Sequence, residues 1–162
     1  MRMPIDSPDR RRLPPLMRRA WYGLNQAFRR RIAHTRVTPD QFTVLRTLLE
    51  GEQRGMTQSE LTRTITSDPN TIAALLERMQ EAGWIERTSH ERDRRAYCIR
   101  LLPTGKRKYL QVRKIAIALQ TEVLSVLPET QREQFLAHLA AVADACRQAA
   151  AAPAKPTSSR NP

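Results

Sequence analysis

Residues 67–87 read SDPNTIAALLERMQEAGWIER, and the fold follows from this stretch. Asp68 can cap a helix that has Pro69 in its first turn, where proline is tolerated. Four apolar side chains spaced three and four residues apart then form one buried face: Ile72, Leu75, Leu76 and Met79. Gly83 stands where a helix commonly ends in a left-handed residue. The stretch predicts a short capped helix with one apolar face, followed by a strand that begins at Ile85.

A second capped helix precedes this one, and a hairpin follows it. Thr57-Gln58-Ser59-Glu60 is a capping box that opens a short helix around Leu61 and Ile65. Ile85-Glu86-Arg87 and Ala96–Leu101 are predicted to pair as strands around an arginine-rich tip. Two short helices with a break between them, followed by an arginine-tipped hairpin, indicate a winged helix-turn-helix, which binds nucleic acid.

Longer amphipathic helices are predicted on both sides of this unit. The first begins at Leu13-Pro14-Pro15, and its apolar stripe consists of Leu16, Ala20, Leu24 and Phe28, with Met17, Trp21 and Ile32 beside it. Thr38-Pro39-Asp40-Gln41 opens the next helix with a capping box. A helix from about Thr104 to Leu127 is predicted to carry an apolar face of Leu110, Ile117, Leu124 and Leu127, and another begins at Pro128. These helices are more apolar than a small DNA-binding domain needs, so part of their surface is expected to meet another chain.

The composition favours a polyanionic partner. The 162 residues carry 28 Lys and Arg against 16 Asp and Glu, a net charge of +12, which attracts DNA, RNA or an anionic membrane surface. Apolar runs stay shorter than the roughly 18 residues that a membrane span requires, and the first residues lack an apolar signal core. Cys98, Cys146 and the three histidines do not have metal-ligand spacing. We therefore expect a cytoplasmic protein with reduced thiols and without metal, cofactor or membrane partner.

The helix over 69–81 is predicted to contact base edges. Its exposed side chains near the N-terminus are small or polar: Pro69, Asn70, Thr71, Ala73 and Ala74. Asn70 suits an adenine edge, and alanines suit thymine methyl groups. Thr57, Gln58 and Arg78 complete the predicted contacts from the helices. The alternative is that Asn70 and Thr71 only cap the helix.

The hairpin tip is the second predicted contact with DNA. It holds Arg92, Asp93, Arg94 and Arg95, with His90 close by. Arginines on a narrow hairpin can enter a minor groove, where A·T-rich sequence concentrates negative potential. Asp93 is predicted to orient a neighbouring arginine. The alternative is a solvated charged loop without a binding role.

At these motifs the chain resembles the MarR family of bacterial winged-helix regulators. The resemblance covers Leu13–Ala149 and rests on four segments: Thr38 to Leu45, Thr57 to Leu61, Asn70 to Arg87, and Asp93-Arg94-Arg95 followed by Leu101-Leu102-Pro103-Thr104-Gly105. It implies a homodimer on a pseudo-palindromic operator, with Arg95 as the wing arginine and Asp93 as its acidic partner. Pro69 replaces a frequent basic residue, so the operator preference is not carried over.

The expected architecture is mainly α with a small β-hairpin wing. We predict a flexible basic arm at 1–12, a single domain at 13–149 and a disordered tail at 150–162. Within the domain, a winged-helix core at 38–102 lies between dimerisation helices at 13–35 and 104–149.

The resemblance also implies an effector, a small aromatic carboxylate or phenolic compound that releases DNA. Candidate contacts are Trp21, Phe28, Arg29, His34 and Phe42. The alternative is that the aromatic side chains belong to the core. A redox trigger is disfavoured, because the first helix lacks a cysteine.

The sequence bears on three classes of function. A DNA-binding repressor is the leading prediction. An enzyme is disfavoured, because the sequence contains neither a Gly-rich phosphate loop nor a recognisable catalytic constellation. A non-specific architectural protein that binds DNA or RNA is the alternative that the net charge permits.

Overall fold

The structure is a computed structural model that describes residue 7 and residues 11–51, 55–65, 67–89 and 97–152. In chain order its elements are α1 (Leu13–Ile32), a 3-10 turn (Ala33–Thr35), α2 (Pro39–Glu50), β1 (Met56–Thr57), α3 (Gln58–Ile65), α4 (Pro69–Glu81), β2 (Ile85–Ser89), β3 (Tyr97–Leu101), α5 (Pro103–Leu124) and α6 (Glu129–Ala151). The chain divides into two compact units, residues 1–119 and residues 120–162. A winged helix-turn-helix fold, mainly α with a small sheet, is confirmed.

The predicted helix starts are confirmed by their caps. The backbone N–H of Gln41 donates to Thr38 Oγ1 at 3.2 Å, and the Thr38 N–H donates to Gln41 Oε1 at 2.9 Å. The same reciprocal pair joins Thr57 and Glu60, at 3.2 and 2.7 Å. Each box satisfies N–H groups that the first turn of a helix leaves without a partner.

The end of α4 is a tight left-handed turn. Gly83 has φ +69°, a value that glycine adopts without steric cost. Its N–H donates to Gln80 O at 2.9 Å, and the Trp84 N–H donates to Met79 O at 3.0 Å. This paired closure is the Schellman motif, and it sends the chain directly into β2.

The sheet has three antiparallel strands in the order β1-β3-β2. The predicted hairpin is confirmed, with Ile85 opposite Leu101 and Ser89 opposite Tyr97. The edge strand β1 was not predicted. It has only two residues, too few for alternation to be read from the sequence.

Most of the core lies within the winged region. Ile72, Leu75, Leu76 and Met79 of α4 are buried, as predicted, against Leu45 and Leu61 of the two preceding helices and Ile85 and Ile99 of the sheet. Phe42 extends this core, since its ring packs edge-on against Phe28 at 5.4 Å and stacks on Tyr109 at 5.5 Å.

The apolar face predicted for α5 does not point into the core of the chain. Leu110 and Ile117 are exposed, whereas Tyr109, Val112 and Leu119 are buried. Leu110, Ile117 and Leu124 recur every seven residues and form a stripe, while Leu127 lies beyond the end of the helix at Leu124. The stacking of Tyr109 on Phe42 turns the adjacent face of α5 inward.

The apolar stripe of α1 is present, but only its C-terminal end is buried within the chain. Ile32 is buried and Phe28 packs on the core, while Leu16, Leu24 and Trp21 are exposed. The predicted contact of this stripe with another chain stays a prediction.

In the second unit, α6 holds no buried residue among those described. Phe135 is exposed, and Leu136, Leu139 and Val142 are half-buried. The helix ends at Ala151, and residues 153–162, which form most of the predicted tail, lie outside the described residues. Over the described residues, every helix is too short or too polar to span a bilayer.

Candidate nucleic-acid interface

The N-terminal half of α4 separates a buried face from an exposed one. Pro69, Asn70, Thr71 and Ala74 are exposed, and Ala73 is half-buried. Because the opposite face is fixed in the core, the exposed side chains are held on a rigid element.

Asp68 organises the start of this helix. Its Oδ1 accepts the Thr71 backbone N–H at 2.9 Å, and its Oδ2 accepts the Thr71 hydroxyl. Two hydrogen bonds lower the pKa of Asp68 below its ordinary value of 3.8. The larger contribution comes from the Thr71 hydroxyl and the next from the Thr71 backbone N–H. Thr71 therefore serves the cap, while the neighbouring Asn70 side chain stands exposed.

The start of α3 lies against the start of α4. The Gln58 side-chain nitrogen is 3.5 Å from Pro69 O, and Thr57 is held in its capping box. An open groove of about 650 Å³ runs along this junction and is lined by Gln58, Ser59, Thr62, Arg63, Ser67 and Pro69. Hydroxyl, amide and guanidinium groups on one groove are suited to phosphate oxygens.

Arg63 was missed as a candidate contact. It lies one turn after Ser59 on the same face of α3, and the groove brings it to the start of α4. The spacing of four residues is the sequence signal that would have found it.

Arg78, a predicted contact, sits near the far end of α4. It is exposed, and its Nε donates to Ala74 O at 3.3 Å. At 1.5 Å per residue, it lies about 13 Å along the helix from Pro69. Asn70 and Arg78 are therefore well separated along the axis of α4.

The predicted wing contacts, Arg92, Asp93, Arg94 and Arg95, lie outside the described residues. The strands that lead to them are described up to the pair Ser89 and Tyr97. Tyr97 is 59% exposed at this outer end of β3.

The predicted effector residues fall into two groups. Phe28 and Phe42 pack against each other, and Phe42 also stacks on Tyr109. Trp21, Arg29 and His34 are exposed on α1 and the 3-10 turn. The packing supports a core role for the two phenylalanines and leaves the other three side chains accessible.

Among the described residues, His, Cys, Asp and Glu form no cluster of three or more that could hold a metal ion. Cys98 is buried and Cys146 is exposed, and the two are not joined by a disulfide bond.

The helix pair and hairpin define the class, winged helix-turn-helix proteins, which bind DNA. The structure matches MepR of S. aureus, solved as a complex with DNA, with a TM-score of 0.76 and 21% identity over 84% of this chain and 99% of MepR. It also matches CouR of Rhodococcus jostii RHA1, solved with p-coumaroyl-CoA, with a TM-score of 0.69 and 22% identity over 79% of this chain and 88% of CouR. These likenesses establish the fold.

Sequence comparison finds similarity to one family within this class. Residues 37–97 match the model of the MarR family. BilQ of Clostridium symbiosum, an HTH-type transcriptional regulator, is 28% identical over 85 residues, which span 52% of this chain and 59% of BilQ. Over residues 37–97 the chain is therefore similar to the MarR family of winged-helix transcription regulators, and it matches little more than half the length of BilQ.

Proposed function

We propose that this protein is a homodimeric repressor that binds a pseudo-palindromic operator and leaves it when a small aromatic effector binds. The observation that carries the proposal is the geometry of α4. Its N-terminal half exposes Pro69, Asn70 and Ala74 while its far face is locked in the core. A helix built in this way can insert its N-terminal end into a major groove without disturbing the fold.

Base reading is assigned to the exposed side chains of α4. The Asn70 amide can donate to and accept from an adenine edge, and Ala73 and Ala74 can contact thymine methyl groups. Thr71 is engaged by Asp68, so we assign it to phosphate or to the cap. Thr57 and Gln58 at the start of α3, together with Arg63, are assigned to the phosphate backbone.

The wing is assigned to the minor groove. Arg92, Arg94 and Arg95 would supply the positive charge there, and Asp93 would orient one of them. Support comes from the hairpin register, since the described strands end at the pair Ser89 and Tyr97, and the arginines follow between these two residues in the sequence.

Dimerisation is proposed because the helices outside the winged region expose large apolar side chains. On α1 they include Leu16, Trp21 and Leu24, and on α5 they include Leu110 and Ile117. Clustered apolar side chains on a protein surface commonly mark an interface with another chain. A symmetric pair would place two copies of α4 about 34–36 Å apart, one turn of DNA.

The proposed effector is a small aromatic carboxylate or a phenol. Support comes from the fold likeness to CouR, which was solved with p-coumaroyl-CoA. Trp21, Arg29 and His34 are exposed and can contact a ring and a carboxylate. Fluorescence-detected release of DNA by benzoate and p-coumarate, with benzamide as the uncharged match, tests this part; equal release by benzamide argues against a carboxylate site at Arg29.

Operator binding is tested with labelled DNA from upstream of the protein's own gene and with scrambled DNA of the same composition. Affinities are measured from about 50 to 200 mM salt. A specific regulator keeps a large affinity ratio between the two duplexes as salt rises. A non-specific architectural protein loses both affinities together, and that result would overturn the proposal.

A further inference from the structure

One side chain, Lys108 of α5, joins the end of α1 to the end of α4. Its Nζ donates to the Thr35 carbonyl at 2.8 Å, across 73 residues of sequence. The same ammonium lies 5.9 Å from the centre of the Trp84 ring, within the range of a cation–π contact. A hydrogen bond from a charged donor is stronger than a neutral one, so Lys108 is a substantial link.

The α1 side of this link is a rigid corner. Thr35 is 1% exposed, and its hydroxyl donates to Ile32 O at 2.6 Å and accepts the Val37 N–H at 3.2 Å. Arg36, with φ +60°, closes the turn through its N–H to Ala33 O at 3.2 Å. The Thr35 carbonyl is therefore held in place at the end of α1.

The α4 side is equally constrained. The Trp84 N–H closes the end of α4 on Met79 O, and Trp84 O accepts the Leu102 N–H at 2.9 Å. A Cβ at Gly105 would lie 2.3 Å from Trp84 O, so the first turn of α5 fits there only because residue 105 is glycine. The end of α4 and the start of α5 thus behave as one block, to which Lys108 belongs.

We infer that Lys108 is a positioning residue that couples the corner at the end of α1 to α4, the helix proposed to contact the bases. The inference rests on the proposed operator binding and adds a route by which events at α1 reach the DNA. Because α4 has 13 residues, its two ends lie about 20 Å apart. A small rotation at Trp84 therefore moves Asn70 relative to the bases, and a misplaced contact loses its hydrogen bond.

The first experiment compares operator affinity in three full-length variants. Lys108→Met keeps an unbranched side chain and loses the ammonium, Lys108→Arg keeps the charge, and Lys106→Met removes one charge from an exposed position on the same helix. We expect about a 10-fold loss of operator affinity in Lys108→Met, recovery to within about threefold in Lys108→Arg, and less than a twofold change in Lys106→Met. Wild-type affinity in Lys108→Met would overturn the inference.

A double-mutant cycle separates coupling from simple loss of stability. Thr35→Val removes the hydroxyl that fixes the corner, so it should weaken operator binding several-fold when Lys108 is present and have little further effect in Lys108→Met. The melting temperature of each variant is measured in parallel. Effects that multiply in the double variant contradict coupling, whatever the melting temperatures are.

Hydrogen exchange provides a readout that does not depend on DNA. The Trp84 N–H should exchange at least about 10-fold faster in Lys108→Met and in Thr35→Val, without a further increase in the double variant. If this pattern holds while the wild type fails to prefer its operator, the coupling stands and the proposed function fails. Unchanged Trp84 exchange in both single variants overturns the coupling itself.

Discussion

The winged region and its flanking segments differ in how many of their large hydrophobic side chains are buried. Residues 38–102 hold 13 of the 18 buried hydrophobic residues and only Tyr97 of the 12 large hydrophobic residues that are exposed, among those described. The flanking segments hold the other 11 exposed ones. The winged region therefore supplies most of the core, whereas the flanking helices leave apolar side chains on the surface, where they suit contact with a second copy of the chain.

The two regions also differ in charge. Residues 38–102 carry 9 Lys and Arg against 10 Asp and Glu, a net charge of −1, while the rest of the chain carries 19 against 6, a net charge of +13. The surplus of positive charge thus lies outside residues 38–102, which hold the proposed base-contacting helix and the wing. We assign long-range attraction to DNA to the flanking segments. Discrimination between DNA sequences is assigned to individual contacts made by residues 38–102.

The largest effect is expected from breaking the apolar surface of the flanking helices. The double variant Leu24→Glu with Ile117→Glu places charges on α1 and α5 where the side chains are exposed. We expect a monomer in sedimentation, and operator affinity lower by about 100-fold or more, because paired half-sites lose their avidity. Gln111→Glu adds a negative charge at an exposed polar position of α5 and is the control. A dimer that survives in the double variant contradicts the assignment.

The next largest effect is expected in the core of the winged region. Leu76 of α4 is fully buried, whereas Val126 is 84% exposed. Leu76→Ala should lower the free energy of unfolding by about 2–5 kcal/mol, through lost burial and the cavity left behind. Val126→Ala should cost about 0.5 kcal/mol or less. Urea denaturation measures both, and similar costs would argue against the difference in burial.

Asn70→Ala tests base reading at α4. Its exposed side chain can be removed without opening the core, so the free energy of unfolding should stay nearly unchanged. Operator affinity should fall by about 1–3 kcal/mol, and discrimination against scrambled DNA should fall with it. Gln80→Ala, an exposed position near the far end of α4, is the control. Equal losses in both variants would sink the assignment of Asn70.

Arg95→Ala tests the wing. We expect operator affinity to fall by about 1–3 kcal/mol with the dimer intact, and the salt slope to decrease by about one if the contact is to phosphate. Arg46→Ala removes an exposed arginine of α2 and controls for net charge. Fluorescence anisotropy at several salt concentrations measures both variants. Unchanged operator affinity in Arg95→Ala would contradict the proposed contact between the wing and DNA.

The local features of the fold could be read from the sequence, because their causes are local. Thr38, Thr57 and Asp68 cap their helices through residues three positions later, and Gly83 ends α4 through its own backbone freedom. Each requires only a short segment of sequence. The same holds for the apolar side of α4, which has one face available for burial.

The features that escaped prediction depend on distant partners. The two-residue strand β1 exists because Met56 and Thr57 pair with Ile99 and Cys98. The inward face of α5 is selected by Phe42. The link from Lys108 to Thr35 spans 73 residues, and no periodicity in the sequence records such a contact.

The same reasoning applies to the candidate site. The exposed end of α4 followed from apolar spacing, because the buried positions determine the exposed ones. Arg63 was overlooked, since its importance comes from the groove between α3 and α4 and not from a motif. The effector residues are hardest to read, because an aromatic stripe suits either a core or a pocket, and Phe28 and Phe42 pack in the core.

The smallest effect is expected from the Asp68 cap at the exposed start of α4. Hydrogen bonds from Thr71 lower the pKa of Asp68 below 3.8 in the folded protein. A carboxyl with a lowered folded pKa stabilises the fold above its unfolded pKa, and this contribution disappears as pH falls through the folded value.

Asp68→Asn keeps an oxygen that can accept the Thr71 N–H but does not titrate, so it isolates the charge of the cap. The wild type should be more stable than Asp68→Asn above about pH 5, and the difference should shrink towards zero as the pH falls below 3.8. Urea denaturation across this range measures it. A difference that grows on acidification would mean that protonation strengthens the cap, contrary to the direction of the pKa shift. Operator affinity should follow the same trend only weakly, because Ile72 and Leu76 hold α4 in the core whether or not its first turn is capped.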